Sequence, residues 1–239
     1  MKYLKLFDTE TNYLTYRDGT GYLKPNVSLS DDNGKVYYNY SPFNGYGYVD
    51  LGLPSGTKWA TQNVGARKPS DFGLYFQWGD TSGYTAEQVG KDKQFASNWS
   101  DYKWGTSSNF TKYNTNGATL ELEDDAAHAN MGGSWHMPTP DQIQELINTA
   151  NTTSTWTTQD EVNGRLFTSK NNGKSMFFPA AGIAWDGSVR GSGGGGYVWS
   201  SVLSTDYVSY GQYLNFFSGS VNQSKYNRYD GLSVRGVVG

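Results

Sequence analysis

The chain has 239 residues, enough for one large domain or one domain with a small appendage, and it can bury a sizeable core without covalent staples. With no cysteine, disulfides, thiolate nucleophiles and thiolate metal sites are excluded, and a net charge of -3 with both signs scattered leaves no electrostatic footprint for DNA or RNA. What stands out is 30 Gly, 19 Tyr and 8 Trp beside few long charged side chains, a composition that suits an irregular core and a binding face equally.

The stretch MKYLKLFDTETNYLTYRDG reaches charged and polar residues too early for a secretory signal, and no run approaches a membrane span. Neither export by the usual signal route nor membrane insertion is expected. Residues 1-47 read as a small β-rich unit, because YLKLF, YLKPNVSLS and KVYYNYS are short β-like runs divided by the turn signals DGTG and DDNGK. NYSPFNGYG then connects to a second region, 48-239, where Val49 and Leu51 open the next apolar run.

That second region reads as mixed α+β with long irregular stretches. Leu53 and Trp59 are expected in the core, and PSDFGLYFQWGD as a short helix or compact aromatic turn. Residues 81 to 118 lack periodicity and read as excursions pinned by Phe95, Trp99, Trp104 and Phe110. A helix is predicted from Leu122 to Ala129, ended by the glycines of MGGSW. A second follows at TPDQIQELINTA, with Thr139 as cap, Pro140 in the first position, Gln142 closing a capping box, and Ile143, Leu146, Ile147 and Ala150 on the apolar face. GRLFTS, KSMFFPAAG, YVWSSVL, YLNFF, GSVNQS and GLSVRGVVG read as strands, and the glycine run from Gly191 to Gly196 as a long hairpin tip.

Enzyme chemistry finds little material. His128 and His136 have no partner at a metal-ligand spacing, and the acidic run from Glu121 to Asp125 lacks the oxygen spacing of a calcium loop but suits the start of a helix. Asp186 precedes Gly187 as a turn residue. No GxSxG elbow occurs, and no Gly-Lys-Ser or Gly-Lys-Thr follows the glycine run. No catalytic residue, cofactor or metal is therefore assigned, and an enzyme is not expected.

The last forty residues separate into anchors and cargo. In YLNFF, Leu214 and Phe216 alternate onto one face and Tyr213, Asn215 and Phe217 onto the other, while Leu232, Val234 and Val237 point inward in GLSVRGVV. Between them stand Ser204, Asp206, Tyr207, Ser209, Tyr210, Tyr213, Asn222, Ser224, Tyr226, Asn227, Tyr229 and Asp230. Tyrosine supplies rigid contact area at low entropy cost and Ser, Asn and Gly supply adaptable hydrogen bonds, which is the composition of a paratope. A glycine-rich sheet rim whose tyrosines merely cover core has the same composition.

In order along the chain, LGLPSGTKWATQNVG, FGLYFQWGD, DAAHANMGGSWHMPT, FFPAAG, YVWSS, LNFFSGSV and GLSVRGV resemble the variable proteins of diversity-generating retroelements, in the C-type-lectin-like branch of gut Bacteroides-type bacteria and their phages. The resemblance covers about residues 48-239. It implies a C-type-lectin-like (formylglycine-generating-enzyme-like) domain with a variable segment at about 199-235, in which mutation of template adenines turns Asn codons into Tyr, Ser, Asp and others but not Gln, Lys or Trp. Trp199, Gln212, Gln223 and Lys225 are then template-fixed. Trp199, Ser200, Leu214, Phe216, Gly219, Val221, Gly231, Ser233, Val234 and Arg235 match the family's framework. Ser204, Asp206, Tyr207, Val208, Ser209, Tyr210, Tyr213, Tyr226, Asn227, Tyr229 and Asp230 match its ligand-binding positions. Val202, Phe217, Ser220, Asn222 and Ser224 stand between the two sets, and Asn222 and Ser224 join the ligand-binding one.

Three departures limit what carries over: the chain ends SVRGVVG where the family has SVRPV, it lacks the cysteines of the sulfatase-modifying relatives, and it has no Glu-Pro-Asn or Gln-Pro-Asp triplet of calcium-dependent sugar-binding lectins. Residues 1-47 resemble leaders that precede phage tail-associated proteins, which implies docking to virion tail components or assembly of a homotrimer. The function implied is noncovalent binding of a protein or glycan receptor on a bacterial surface by a tail-associated protein located in the virion, with the bacterial surface or cytoplasm as alternative locations. The competing expectation is a structural virion or surface decoration protein with the same fold and no dedicated receptor.

Overall fold

Two of the runs expected near the amino terminus pair with each other in the computed structural model, which describes residues 27–32, 35–40, 46–90 and 95–239. Strands β1 (Val27–Asp32) and β2 (Lys35–Tyr40) form an antiparallel hairpin in register from Val27↔Tyr40 to Asp32↔Lys35. The expected YLKLF strand lies outside the described residues. The chain divides into two units, Met1–Tyr48 and Val49–Gly239.

The larger unit is α+β, with little helix and several short antiparallel sheets. In chain order come β3 (Tyr48–Asp50), β4 (Lys58–Ala60), the two-residue strands β5 (Gly105–Thr106) and β6 (Asn109–Phe110), helices α1 (Ala126–Met131) and α2 (Pro140–Ile147), then β7 (Thr152–Gln159), β8 (Val162–Ser169) and β9 (Ser175–Pro179). β10 (Ile183–Trp185), β11 (Ser188–Arg190), β12 (Gly195–Leu203), β13 (Tyr210–Phe217), β14 (Val221–Asn227) and β15 (Val237–Val238) complete it. Three-stranded sheets run in the orders β7-β8-β9, β12-β13-β14 and β15-β4-β3, with β5-β6 and β10-β11 as separate pairs.

Helix α2 forms where its chemistry requires. Thr139 accepts from the backbone N–H of Gln142 (3.2 Å) while the Gln142 side chain accepts from the N–H of Thr139 (2.9 Å), satisfying two of the donors that a helix start leaves open. Ile143 and Leu146 are buried and Ile147 half-buried, but the helix stops at Ile147, so Ala150 lies beyond it and exposed. The helix expected from Leu122 to Ala129 is interrupted instead. Leu122–Asp124 is a single 3-10 turn, and Asp125 is extended because its carboxylate caps α1, accepting from the N–H of His128 (2.9 Å) and of Met137 (2.8 Å). Gly132, at φ 69°, closes α1 in the left-handed region.

Other expectations are corrected. PSDFGLYFQWGD contains no helix; it is an extended aromatic arm in which Tyr75 bridges Tyr84 and Phe76 bridges Leu232. The glycine run is not a long hairpin tip, because only its first half turns. Gly195 and Gly196 belong to β12, where a Cβ on Gly196 would stand 2.0 Å from the Phe216 ring, so the rings of β13 exclude any side chain there. GLSVRGVVG is mostly not a strand: Gly231, Leu232 and Ser233 bridge in turn to Ala184, Phe76 and Val198, and only Val237–Val238 enters a sheet. Strand β7, TTSTWTTQ, was not anticipated, although its β-branched residues favour a strand. Of the four anchors assigned to the irregular stretch, Phe95 is buried and Trp99, Trp104 and Phe110 are half-buried.

The core gathers Leu53, Trp59, Ile143, Leu146, Phe167, Phe178, Val198, Leu214, Phe216 and Val237. Phe178 is its hub, edge-on to Phe167 (5.4 Å), Trp59 (5.9 Å) and Phe216 (6.1 Å), which joins three sheets through one ring. Beside it lies Arg235, fully buried. Its Nε donates to Asn63 Oδ1 (2.9 Å), its Nη1 to the carbonyls of Ala60, Thr61 and Phe177 (3.2 Å each) and its Nη2 to the Phe177 carbonyl (3.2 Å), with the guanidinium 4.1 Å from the Phe178 ring. Burial pushes its pKa down to about 9, so it keeps its charge at neutral pH. Arg235→Met leaves those carbonyls without a donor and is expected to cost about 3–5 kcal/mol; a denaturant midpoint within error of the parent's would contradict this role.

Candidate functional site

Period-two alternation in β12, β13 and β14 sorts the carboxy-terminal sheet into two faces. Val198, Leu214, Phe216 and Val221 turn to the core. On the other face the registers Tyr197↔Asn215↔Asn222 and Trp199↔Tyr213↔Ser224, with Gly211↔Tyr226, line up rings and amides across three strands. Tyr213 stands at the centre, its ring 5.9 Å from Tyr197, 6.0 Å from Trp199 and 6.2 Å from Tyr226, and Phe217 extends the row at 5.8 Å from Tyr197. Gly211 is needed here: a Cβ would meet Trp78 and Trp199 at 2.8 Å.

Loops flank this row. After β12, the buried Ser204 hydroxyl accepts from the N–H groups of Asp206 (3.1 Å) and Tyr207 (3.3 Å), a local turn that lifts Tyr207 to 57 % exposure. Tyr207 packs at 5.7 Å on Tyr210, and Lys225 holds the loop by pairing with Asp206 and standing 4.9 Å from the Tyr207 ring. After β14, Tyr229 lies 4.7 Å edge-on to Trp99, which also contacts Tyr102 and Phe110 (both 5.6 Å).

Between Asn227 and Tyr229 the chain turns Arg228 inward, where it is fully buried. It donates from Nε to the Tyr102 hydroxyl, from Nη1 to the carbonyls of Tyr113 (2.9 Å) and Val208 (3.0 Å), and from Nη2 to that of Lys112 (3.1 Å), with Phe110 at 4.4 Å and Tyr102 at 5.0 Å from the guanidinium carbon. One side chain thus ties the irregular stretch of residues 95 to 113 and the loop after β12 to the segment that carries Tyr226 and Tyr229.

The expected ligand-binding positions fall into three groups. Asp206, Tyr207, Asn222 and Ser224 are exposed; Val208, Ser209, Tyr210, Tyr226, Asn227 and Tyr229 are half-buried; Ser204, Tyr213 and Asp230 are buried. The last three are corrections to a purely surface role: Ser204 shapes a turn, Tyr213 is the centre of a ring cluster, and Asp230 lies under the face. Phe217, expected on this face, and Tyr197, which was not, complete the row; Tyr197 lies opposite Asn215 in the register. Trp99 was readable only as an anchor of the irregular stretch, and Arg228 carried no sequence signal, since most of its partners lie far away in the chain. Gln212 donates to the Leu203 carbonyl (2.9 Å) and Gln223 to that of Pro140, so both have structural partners.

The face suits noncovalent contact. Burial raises the phenol pKa of Tyr197, Tyr213, Tyr226 and Tyr229, so these are neutral hydrogen-bonding groups at physiological pH. Elsewhere the acidic run is absorbed locally: Asp125 caps α1, and Asp124 accepts from Lys112 (2.5 Å), Tyr113 (2.7 Å) and Lys103 (3.4 Å). Among the described residues no group of three or more His, Cys, Asp or Glu side chains could hold a metal ion, and no helix is long and apolar enough to cross a membrane.

Asp230 is the exception to this satisfied electrostatics. It is 0 % exposed and neither carboxyl oxygen has a hydrogen-bond partner. Desolvation pushes its pKa up to about 8, against a smaller lowering by the Asn227 side chain. The folded chain therefore holds a proton that the unfolded chain releases near pH 4, and the parent loses stability as pH rises from there to about 8. Asp230→Asn removes that penalty, so the variant's melting temperature relative to the parent's is expected to climb between pH 5 and pH 9. A flat difference over that range would place the carboxyl in its ordinary range.

Comparison with family models, curated proteins and solved structures gives no match.

Proposed function

We propose that this protein is a noncovalent receptor-binding module whose tyrosine-rich face engages a protein or glycan on a bacterial surface. The observation that carries the reading is the division within one segment. From Trp199 to Arg235 the residues Trp199, Ser200, Leu214, Phe216, Ser233, Val234 and Arg235 are fully or almost fully buried, while Asp206, Tyr207, Tyr210, Asn222, Ser224, Tyr226 and Tyr229 retain access to solvent. A scaffold arranged so tolerates replacement of the second set without loss of the first, which is what a diversified recognition surface requires.

On this reading the larger unit is a C-type-lectin-like domain of a retroelement-diversified variable protein. Residues 1-47 dock it to a phage tail or bring it into a homotrimer, and the protein resides in the virion. Display of several copies raises weak single-site affinity by avidity. The chemistry of recognition is ring stacking and neutral hydrogen bonding, with Tyr207, Tyr210, Tyr226 and Tyr229 as the main contacts and Asp206, Asn222, Ser224 and Asn227 adjusting polarity.

The double variant Tyr207→Ala/Tyr210→Ala is expected to lose at least about tenfold in binding to its target cells, measured on a panel of gut Bacteroides-type bacteria, because interface tyrosines dominate binding energy. Tyr207 is exposed and Tyr210 only half-buried, so its melting temperature is expected within about 4 °C of the parent's. Unchanged adsorption, or a collapse in stability, would reject the binding face. A reverse transcriptase gene beside a near-copy of the region encoding residues 199 to 235, with adenines at the proposed positions, tests the diversification itself.

A further inference from the structure

Outside residues 199 to 235 one large aromatic side chain stands in water. Among the described residues the exposed large apolar side chains are Leu122, Trp185 and Tyr207, and of these only Tyr207 belongs to the face already assigned. Trp185 ends β10, and Asp186 and Gly187, both at positive φ (48° and 67°), form the two-residue turn that returns the chain into β11. This hairpin is fastened at several points. Ala184 exchanges backbone hydrogen bonds with Gly231 (2.8 and 2.9 Å), and the Gly187 N–H donates to the Ala96 carbonyl (2.9 Å). The turn also packs so closely on Gly90 that a Cβ there would stand 1.9 Å from the Gly187 oxygen. Ala184 and Gly231 run antiparallel, so the hairpin tip heads toward Tyr229.

The indole has a fastening of its own. Arg190, opposite Ile183 in the hairpin, lays its guanidinium 4.5 Å from the Trp185 ring centroid, donates from Nε to Ser188 Oγ (3.1 Å) and reaches Asp186 at 4.0 Å. One ring face is thereby covered, and 40 % of the residue remains in solvent. Tyr207 repeats the unit: Lys225 stands 4.9 Å from its ring and pairs with Asp206, the residue beside it in sequence, as Arg190 does with Asp186 beside Trp185. Each is an exposed ring backed by a cation that the adjacent acid holds in place. A ring fixed in this way loses little entropy when a ligand lies on its free side.

We propose that Trp185 is a stacking platform for a pyranose ring of a bacterial surface glycan, whose C–H face lies on the open side of the indole while its hydroxyls bond Asp186 and Arg190. The proposal rests on the receptor-binding reading and chooses glycan over protein for this contact. The rim of the platform decides the choice. The Asp186 side chain is 73 % exposed, and carboxylates are depleted from the core of protein interfaces because they would have to leave water. A sugar requires no such dehydration, since one hydroxyl can donate to the carboxylate and another accept from the guanidinium while the apolar face covers only the ring. Trp185 also lies outside the diversified segment of that reading. It is therefore a constant contact, which recognises a feature shared by the receptors while the tyrosines recognise what differs among them.

The test titrates the full chain with methyl pyranosides (glucoside, galactoside, mannoside, fucoside and N-acetylglucosaminide) and follows the indole N–H signals by NMR, the Trp185 signal being the one absent from Trp185→Phe. At least one glycoside is expected to shift that signal saturably. Its affinity is expected to fall at least about tenfold in Trp185→Ala and at most about threefold in Trp185→Phe, which keeps an aromatic face. Both variants are checked by their melting curves, and Trp185→Thr, which suits a strand, replaces Trp185→Ala if the latter does not fold. No shift by any glycoside overturns the proposal, as does an affinity unchanged in Trp185→Ala or equally reduced in both variants. No shift together with loss of target adsorption in Tyr207→Ala/Tyr210→Ala rejects the sugar platform and leaves the receptor-binding face standing. Glycoside binding without that adsorption loss supports the platform and removes the Tyr207 and Tyr210 contacts.

Discussion

Two guanidinium groups buried without a carboxylate are the constraint on which the rest of this structure depends. Arg228 and Arg235 are both fully buried, and each is solvated by backbone carbonyls, one polar side-chain oxygen and aromatic rings instead of by an anion. A guanidinium is suited to this because five donors in a plane reach several carbonyls at once, and its weak hydration lowers the cost of leaving water. The carbonyls so bound belong to segments that have little regular structure of their own. Arg235 gathers β4, the chain after it and β9, and Arg228 gathers the residues around Tyr113 with the loop after β12. In a chain with 30 glycines and short sheets, these donors do for irregular backbone what ladders do for strands.

The same arrangement explains how one segment can be rigid and adaptable together. Arg228 sits between Asn227 and Tyr229, so the backbone that carries Tyr226 and Tyr229 is fastened from below at that point. Asp206 and Tyr207 are held by the Ser204 turn and by Lys225, whose partner and ring lie in the loop it steadies. Side chains pointing away from these fastenings carry little of the fold's stability. Preorganised rings on a fixed backbone lose little entropy on contact, which is the condition for affinity from a modest surface.

Asp230 is the counterpart of the two arginines. Where their donors find several acceptors each, it is buried without one, only two residues from Arg228. A buried cation that finds carbonyls is a stabilising knot; a buried acid without such partners lowers stability at neutral pH.

Much of this was legible along the chain. The capping box at Thr139 and Gln142, the alternation of Leu214 and Phe216 against Tyr213, and the inward Leu232, Val234 and Val237 follow from local periodicity and side-chain chemistry, which act over a few residues and so leave a local trace. The tyrosine, serine and asparagine positions were readable for the same reason. Only the tertiary structure decided which of them reach solvent, because burial depends on residues brought from elsewhere, as Trp199 packs on Tyr213 and Trp99 on Tyr229. It also decided the roles of Arg228 and Arg235: an arginine in sequence reads as surface charge, and its inward turn requires carbonyls left free by segments a hundred or more residues away. Local composition determined what the face is made of, and long-range packing determined which part of it is a face.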